Sequence, residues 1–200
     1  MRHDTTKAVF RYFNELRAAR AAPLRQEIDP AALKGVLPDL FIMEKGRDDS
    51  VRFRLAGTRV CAILGREMRD RSFTEIWEPA MRHRMRLAAD TVLANRKALE
   101  IAVTASDADG HALDLEMLLL PLFSRANRCD RIFGCLVPMA PAAGLQPRLR
   151  VLAPADLEFA PVGRGEPAQV APAAQAMPGV IGQLVGRIAH LRVFEGGRRD

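Results

Sequence analysis

Residues 52–67, RFRLAGTRVCAILGRE, change from one hydrophobic period to another within a few positions. Phe53 and Leu55 alternate with arginines, which is the pattern of a strand with one buried face. The small residues AGT interrupt this alternation, and Val60 and Leu64 then recur at helical spacing. The stretch therefore predicts a strand that runs directly into a short helix, and a junction of this kind is a candidate for a functional site.

The segments on either side of this stretch predict hairpins of strands separated by helices. A long helical pattern, PAMRHRMRLAADTVLANRK, separates the first hairpin from three further strands. Because the strands come in hairpins rather than in β-α-β units, we predict an α+β fold with one antiparallel sheet and its helices on one face. The predicted strands carry the segments DLFIMEK, VRFRLAG, ALEIAVTAS, LDLEMLLLPLF and DRIFGCLVPMA.

The N-terminal segment TTKAVFRYFNELRAARAAP has the pattern of an amphipathic helix. We expect its apolar stripe to lie outside the core formed by the sheet and the other helices. An exposed stripe of this kind usually finds a partner, so a homodimer contact is predicted there. The candidate contact residues are Val9, Phe10, Phe13 and Leu16.

Composition divides the chain into four segments. Residues 1–22 form the N-terminal amphipathic helix, and residues 23–140 form the predicted sheet-and-helix domain. Residues 141–178 are rich in Ala, Pro, Gly and Gln and are expected to be a flexible linker. Residues 179–200 regain periodicity and are expected to form a helix or a strand, and the sequence leaves open whether it docks on the domain.

The overall composition restricts the class of protein. The chain has 200 residues, a net charge of +6 and arginines spread along its length rather than clustered, so nucleic-acid binding is not expected. It lacks an apolar run long enough to cross a membrane and an apolar export signal, so we expect a cytoplasmic location. Its three cysteines are an odd number without a CxxC pair, which predicts buried, reduced thiols.

The sequence contains no arrangement typical of catalysis. Its histidines have no pattern that links them to a serine or cysteine nucleophile, and spacing for a metal site is absent. Gly57 and Gly65 bracket the short helix without a phosphate-loop motif. Asp114 and Glu116 are alternate residues of a strand and are predicted to face outward. We therefore predict that the chain is not an enzyme and has neither catalytic nor metal-binding residues.

Four motifs occur in a fixed order: IDPAALKGVLPDLFIME, RFRLAGT, GRE followed by RSFTEIW, and LLLPL followed by RIFGCLVP. On these motifs, from about Phe10 to Val137, the chain resembles a bacterial stand-alone PAS domain family of the PAS_5 or DUF1457 type. The resemblance implies a five-stranded antiparallel sheet, with short helices and one long helix on one face, preceded by the N-terminal helix. One departure is that Asp70 and Arg71 stand where the family tends to have a glycine, which can supply a positive φ.

The resemblance also implies an interior between the concave sheet, the short helices and the long helix. This interior is either a ligand cavity or a filled core, because both have the same apolar pattern, and the methionines could line either one. The side chains predicted to face it are Phe53, Leu55, Cys61, Leu64, Trp77, Met85, Ile101, Leu115 and Met117.

Two cofactors known from PAS domains are not expected here, and the cofactor is left unknown. His83 lies on the helix where haem-binding PAS domains carry an axial ligand, but Arg82 and Arg84 flank it off the apolar stripe, so it is predicted to be solvated. Photoactive PAS domains that hold flavin carry an Asn-Cys-Arg motif, whereas Cys61 is followed by AIL.

The resemblance implies a non-enzymatic sensory or regulatory module in bacterial signalling. It would act through contacts with an unknown signalling protein, with or without a small molecule in the cavity. The alternative is a basic protein that binds nucleic acid or a membrane surface, and its affinity would fall steeply with salt.

Overall fold

The computed structural model describes residues 1–106, 112–126, 128–140, 151–160 and 191–193. The parts of the predicted linker and C-terminal segment beyond these ranges lie outside the described residues. The helices are α1 (Asp4–Arg17), α2 (Thr58–Ile63) and α3 (Arg82–Asn95), with short 3-10 helices at Arg25–Glu27, Leu37–Asp39, Phe73–Ile76 and Pro79–Met81. The strands are β1 (Leu40–Lys45), β2 (Val51–Ala56), β3 (Ala98–Ser106), β4 (Ala112–Arg125), β5 (Arg128–Pro138), β6 (Val151–Ala160) and β7 (Leu191–Val193).

These strands form one sheet in the order β2-β1-β5-β4-β3-β6-β7. The five predicted strands are consecutive in this order and pair antiparallel, so the predicted α+β fold is confirmed. The described residues add two strands to the five that were predicted. Strand β6 pairs antiparallel with β3, and β7 pairs parallel with β6.

Strand β6 corrects the prediction that residues 141–178 are all linker. Leu152 and Leu157 of this strand are buried in the main core, and the backbone N–H of Glu78 donates to the carbonyl of Leu152. The Ala- and Pro-rich composition around the strand hid a short apolar segment. The open edge of β3 supplies the hydrogen bonds that this segment needs, which composition alone does not reveal.

The helices cover both faces of the sheet, whereas the sequence predicted helices on one face. Helices α2 and α3 close one face, here called the core face, and α1 packs on the opposite one, here called the α1 face. Val9 and Phe13 are fully buried there against Leu118 and Phe133 within a single chain. The prediction that these two residues lie in an exposed stripe is therefore wrong, because the second face of the sheet is apolar and buries them.

A β-bulge in the first hairpin corrects the position of Leu55. Met43 pairs with Phe53, but the neighbouring Ile42 pairs with Leu55, so Arg54 is the extra residue. Because an extra residue reverses the alternation, Leu55 moves from the core face to the α1 face. It is 47% exposed there, whereas Phe53 is buried in the core.

Asp70 takes the conformation for which a glycine was expected. Its φ is 63°, in the left-handed region that aspartate tolerates better than most residues. The backbone N–H of Asp70 donates to the carbonyl of Phe53 (2.7 Å), and the N–H of Phe53 donates to the carbonyl of Arg71 (2.9 Å). The turn therefore keeps its positive φ without glycine and protects the outer edge of β2.

Candidate functional site

The structure brings together most of the residues predicted to face the interior. They come from β2, α2, α3, β3, β4 and the segment around Trp77, and they share one hydrophobic cluster on the core face. Cys61 is half-buried against this cluster, and Leu55 is the exception described above. Whether the interior binds a ligand stays a prediction. The buried members are Phe53, Leu64, Trp77, Met85, Ile101, Leu115 and Met117.

Aromatic side chains fill the end of this cluster nearest β2. Phe41 meets Phe53 edge to face with ring centroids 5.6 Å apart, and Phe73 meets Trp77 in the same way at 5.6 Å. Trp77 is fully buried, and its indole Nε1 has no hydrogen-bond partner among the residues that the structure describes. Such a group normally finds an acceptor, so the indole N–H is where a buried water or a ligand oxygen would be held.

The junction between β2 and α2 depends on close backbone contact and one ion pair. A Cβ atom at Gly57 would lie 2.3 Å from the carbonyl oxygen of Pro38, so only glycine fits. Two residues after Gly57, Nη1 of Arg59 donates to both carboxylate oxygens of Asp39, at 2.7 and 2.6 Å. Asp39 is nearly fully buried, so this contact satisfies a charge that would otherwise be costly. The junction thus fixes the helix that covers the core face.

Burial disfavours thiolate at all three cysteines, and His83 is exposed. Burial raises the pKa of the Cys61 thiol, and it raises the pKa of Cys129 to about 11 and of Cys135 to about 12, so thiolate is disfavoured at each. His83 is exposed on α3, while Met85 of the same helix is buried in the core. The structure therefore places His83 in solvent, as its arginine neighbours predicted.

A pocket of about 360 Å³ lies on the α1 face, beside the start of α1. Four carboxylates line it, together with Thr104, Ala102, Met139 and the first two residues of the chain. The four carboxylates come from three neighbouring strands, β3, β4 and β6. We call this the acidic pocket, and its carboxylates are Glu100, Asp114, Glu116 and Glu158.

Glu116 is the carboxylate that holds the start of α1. It accepts hydrogen bonds from the backbone N–H groups of Arg2 (2.6 Å) and His3 (3.2 Å). Burial alone would raise the pKa of Glu116, but these bonds and one from the Thr6 hydroxyl outweigh it and lower the pKa. The pKa of the adjacent Glu100 is raised, mainly by burial, although the α-amino group of Met1 contacts it and partly opposes the shift. The two pKa values therefore shift in opposite directions, so the fold favours the ionised form at Glu116 and disfavours it at Glu100.

The sequence had predicted that Asp114 and Glu116 face away from the core, and both do. Asp114 is exposed, but Glu116 is buried beneath the start of α1, which the sequence analysis missed. Asp39, Arg59 and the contribution of β6 were missed as well. A signal for α1 was present in the sequence. From Leu118 to Leu122 the alternation in β4 becomes a continuous apolar run, which is typical of a strand covered on both faces.

Comparison with protein families identifies the fold. A family model, PAS_5, described as a PAS domain, matches residues 1–137, which run from α1 through β5 up to, but not including, its last residue, Pro138. The chain belongs to the PAS domain family. The match confirms the family suggested by the sequence motifs and places the PAS domain in the first two thirds of the chain. Strands β6 and β7 are therefore additions to the matched PAS domain, at the edge formed by β3. No match was found among curated proteins.

Solved structures similar to this PAS domain include several LOV domains. A LOV protein of Rhodobacter sphaeroides aligns at 12% identity and a TM-score of 0.43, covering 56% of this chain and 64% of that one. The light state of the Aureochrome1 LOV domain aligns at 12% identity and 0.41, covering 55% and 88%. An RNA-binding Light-Oxygen-Voltage receptor aligns at 18% identity and 0.41, covering 55% and 33%. The match to the first covers less than two thirds of that protein.

In the part of the PAS chain that the structure describes, there is no group of three or more His, Cys, Asp or Glu side chains arranged to hold a metal ion. Among the described residues, no helix is long and apolar enough to cross a membrane.

Proposed function

We propose that this PAS domain is a non-enzymatic regulatory module of bacterial signalling that acts chiefly through protein contacts. The observation that carries the proposal is the close packing of the core face. Most of the predicted cavity residues on that face are buried in one cluster, and aromatic rings pack edge to face within it, which favours a packed core over an open cavity. A filled core leaves the surface as the place where a signal would be received or passed on.

A ligand in the interior is the competing function, and the indole of Trp77, which has no partner within the described part of the chain, favours it. A ligand with an oxygen acceptor would satisfy Nε1 and displace part of the apolar packing around it. A single buried water would satisfy the same atom with less displacement. The cofactor therefore stays unknown, and the cytoplasmic location and the homodimer stay predictions. Of the predicted dimer contacts, Phe10 and Leu16 are half-buried and remain accessible to a second copy.

The experiment that separates these functions uses the one tryptophan of the chain. An isotope-labelled chain gives a single indole N–H signal, which reports directly on Trp77. Extract of cells that produce the protein is divided by ultrafiltration into a low-mass filtrate and a macromolecular retentate. Each fraction is added to the labelled chain, and amide and indole signals are recorded by NMR.

A contact module predicts that the retentate broadens the signals of surface amides while the filtrate leaves the indole signal unchanged. A ligand sensor predicts that the filtrate shifts the indole signal, together with amides of Phe53 and Met85. The second result would overturn the proposed contact function. The alternative of a nucleic-acid or membrane-surface binder is tested by treating the retentate with nuclease and by adding anionic vesicles, with binding measured against salt.

A further inference from the structure

Strand β6 forms part of the wall of the interior, although it lies beyond the residues that match the PAS domain. The family match ends at residue 137, and β6 follows it in the chain. Leu152 and Leu157 of β6 nevertheless belong to the main hydrophobic cluster. In the sheet register Leu157 lies opposite Ile101 of β3, which is fully buried. Without β6, the matched domain would leave core residues uncovered along the edge of β3.

The same strand joins the edge of β3 to the segment around Trp77. The backbone N–H of Glu78 donates to the carbonyl of Leu152 at 3.1 Å. Trp77 and Leu152 also form an isolated parallel bridge, and both side chains lie in the main cluster. Strand β6 therefore connects the sheet to the segment that carries the buried indole, and it closes the interior at that point.

The hydrogen-bond ladder between β6 and β3 is interrupted in its middle. Pro154 lies opposite Val103, and proline has no N–H to donate. The register then shifts, so that Asp156 pairs with Ala102 and Ala155 is an extra residue. Prolines and bulges of this kind are typical of strands at the edge of a sheet. The half of β6 that meets the Trp77 segment is therefore separated from the other half by a break in the ladder.

The closed state also leaves a polar group unsatisfied. The indole N–H of Trp77 is fully buried and has no hydrogen-bond partner among the described residues. Burial of an unpaired donor is unfavourable, and this cost disappears when water reaches the group. Because Leu152 meets Trp77 at this end of the cluster, separation of β6 gives water a route to the indole. The unpaired donor thus destabilises the closed state relative to an open one.

We propose that β6 is a removable wall of the interior, which opens and closes the Trp77 end while the five strands from β2 to β3 stay folded. Strand β7 pairs with the other side of β6 and moves with it. Water or a small molecule then reaches Trp77 without displacement of α3, which packs on β3, β4 and β5. The inference goes beyond the proposed contact function, because it assigns the route into the interior and not its occupant.

Hydrogen exchange of the full chain, measured for each amide by NMR, tests this proposal. The N–H groups of β3 form two sets, one directed toward β4 and the other toward β6. If β6 separates on its own, the β6-directed set should exchange at least about tenfold faster than the β4-directed set. Equal rates would overturn the proposal, because β6 would then leave only when the whole domain unfolds. A β6-directed set without any protection would also overturn it, since β6 would not be docked.

Two leucine variants separate local opening from a general loss of stability. Leu152→Ala should raise the exchange of the β6-directed amides and of the Trp77 indole N–H at least about tenfold, with the β4-directed amides unchanged. The matched control is Leu119→Ala, because Leu119 is also fully buried in the main cluster but lies on β4. It should raise the exchange of the β4-directed amides.

An equal rise of both sets in Leu152→Ala would contradict the proposal, because β6 would then belong to the same cooperative unit as the rest of the sheet. The extract experiment above reports on what binds and does not depend on β6. A failed exchange test therefore leaves the proposed contact function standing.

Discussion

The two faces of the sheet differ in what covers them and in what they bury. The core face is apolar over its whole area and is closed by α2 and α3. The α1 face is apolar only beneath α1, and its other half is the acidic pocket. The core face is thus apolar and covered by helices, while the α1 face joins an apolar half, covered by α1, to a half lined by carboxylates.

Strand β4 contributes to both faces and shows where the change occurs. Leu115 and Met117 point into the core, while the intervening Glu116 points to the α1 face and marks the boundary between its two halves. Beyond it Leu118 and Leu120 lie beneath α1, and before it Asp114 lies in the pocket. One carboxylate thus links the helix to the pocket.

The largest expected effect compares two leucines that the sequence had placed on one face. Leu115→Ala should reduce the free energy of unfolding by about 2–5 kcal/mol, because a fully buried side chain leaves a cavity. Leu55→Ala should cost less than about 1 kcal/mol, because that side chain is 47% exposed. Urea unfolding measures both. Equal losses would mean that the bulge does not move Leu55 off the core face.

An intermediate effect is expected for the carboxylate at the start of α1. Glu116→Gln should lower the free energy of unfolding at neutral pH by about 1–2 kcal/mol, because a buried charge no longer accepts the N–H groups of Arg2 and His3. Asp114→Asn, on the same face of the same strand, is the control and should change it by less than about 0.5 kcal/mol. A larger effect at Asp114 would contradict the boundary placed at Glu116.

The stabilisation that the Glu116 carboxylate provides should decrease at acidic pH. The pKa of Glu116 is lower in the folded chain than its ordinary value of 4.5, so the folded state favours the ionised form. The stabilisation is present above pH 4.5 and is lost as the pH falls through the folded pKa. Urea midpoints measured against pH should therefore fall on acidification more steeply in the wild type than in Glu116→Gln. Parallel curves would show that Glu116 does not carry the charge.

The smallest expected effect on the urea midpoint concerns Glu100, whose contribution changes with pH in the direction opposite to that of Glu116. Its pKa is raised above 4.5 in the folded chain, mainly by burial, so its contribution to stability declines as the pH rises from 4.5 through the folded pKa. Glu100→Gln should remove this decline, and the urea midpoint of the variant should fall less than that of the wild type between weakly acidic and neutral pH. A steeper fall in the variant would mean that the Met1 contact outweighs burial.

Local patterns predicted much of the PAS domain. Alternation located the five strands, the 3.6-residue period located α1 and α3, and hairpin connections gave the antiparallel order. The expected need for a positive φ near Arg71 was also sound, with Asp70 in place of glycine. Most of the predicted interior residues share one cluster for the same reason. Alternate residues of a strand point to the same face, so they are buried together when that face is covered.

What the sequence by itself determined is therefore the set of elements from α1 to β5 and most of the inward-facing side chains within them, because periodicity is a local property. Tertiary structure alone decided that α1 covers the second face, that a bulge turns Leu55 outward, and that β6 occupies the edge of β3. It also decided that Glu100 and Glu158 meet, since the residues are 58 positions apart and only strand pairing brings them together. Each of these outcomes depends on contacts between segments that are far apart in the sequence. Such contacts form only in the complete fold, so local periodicity does not reveal them.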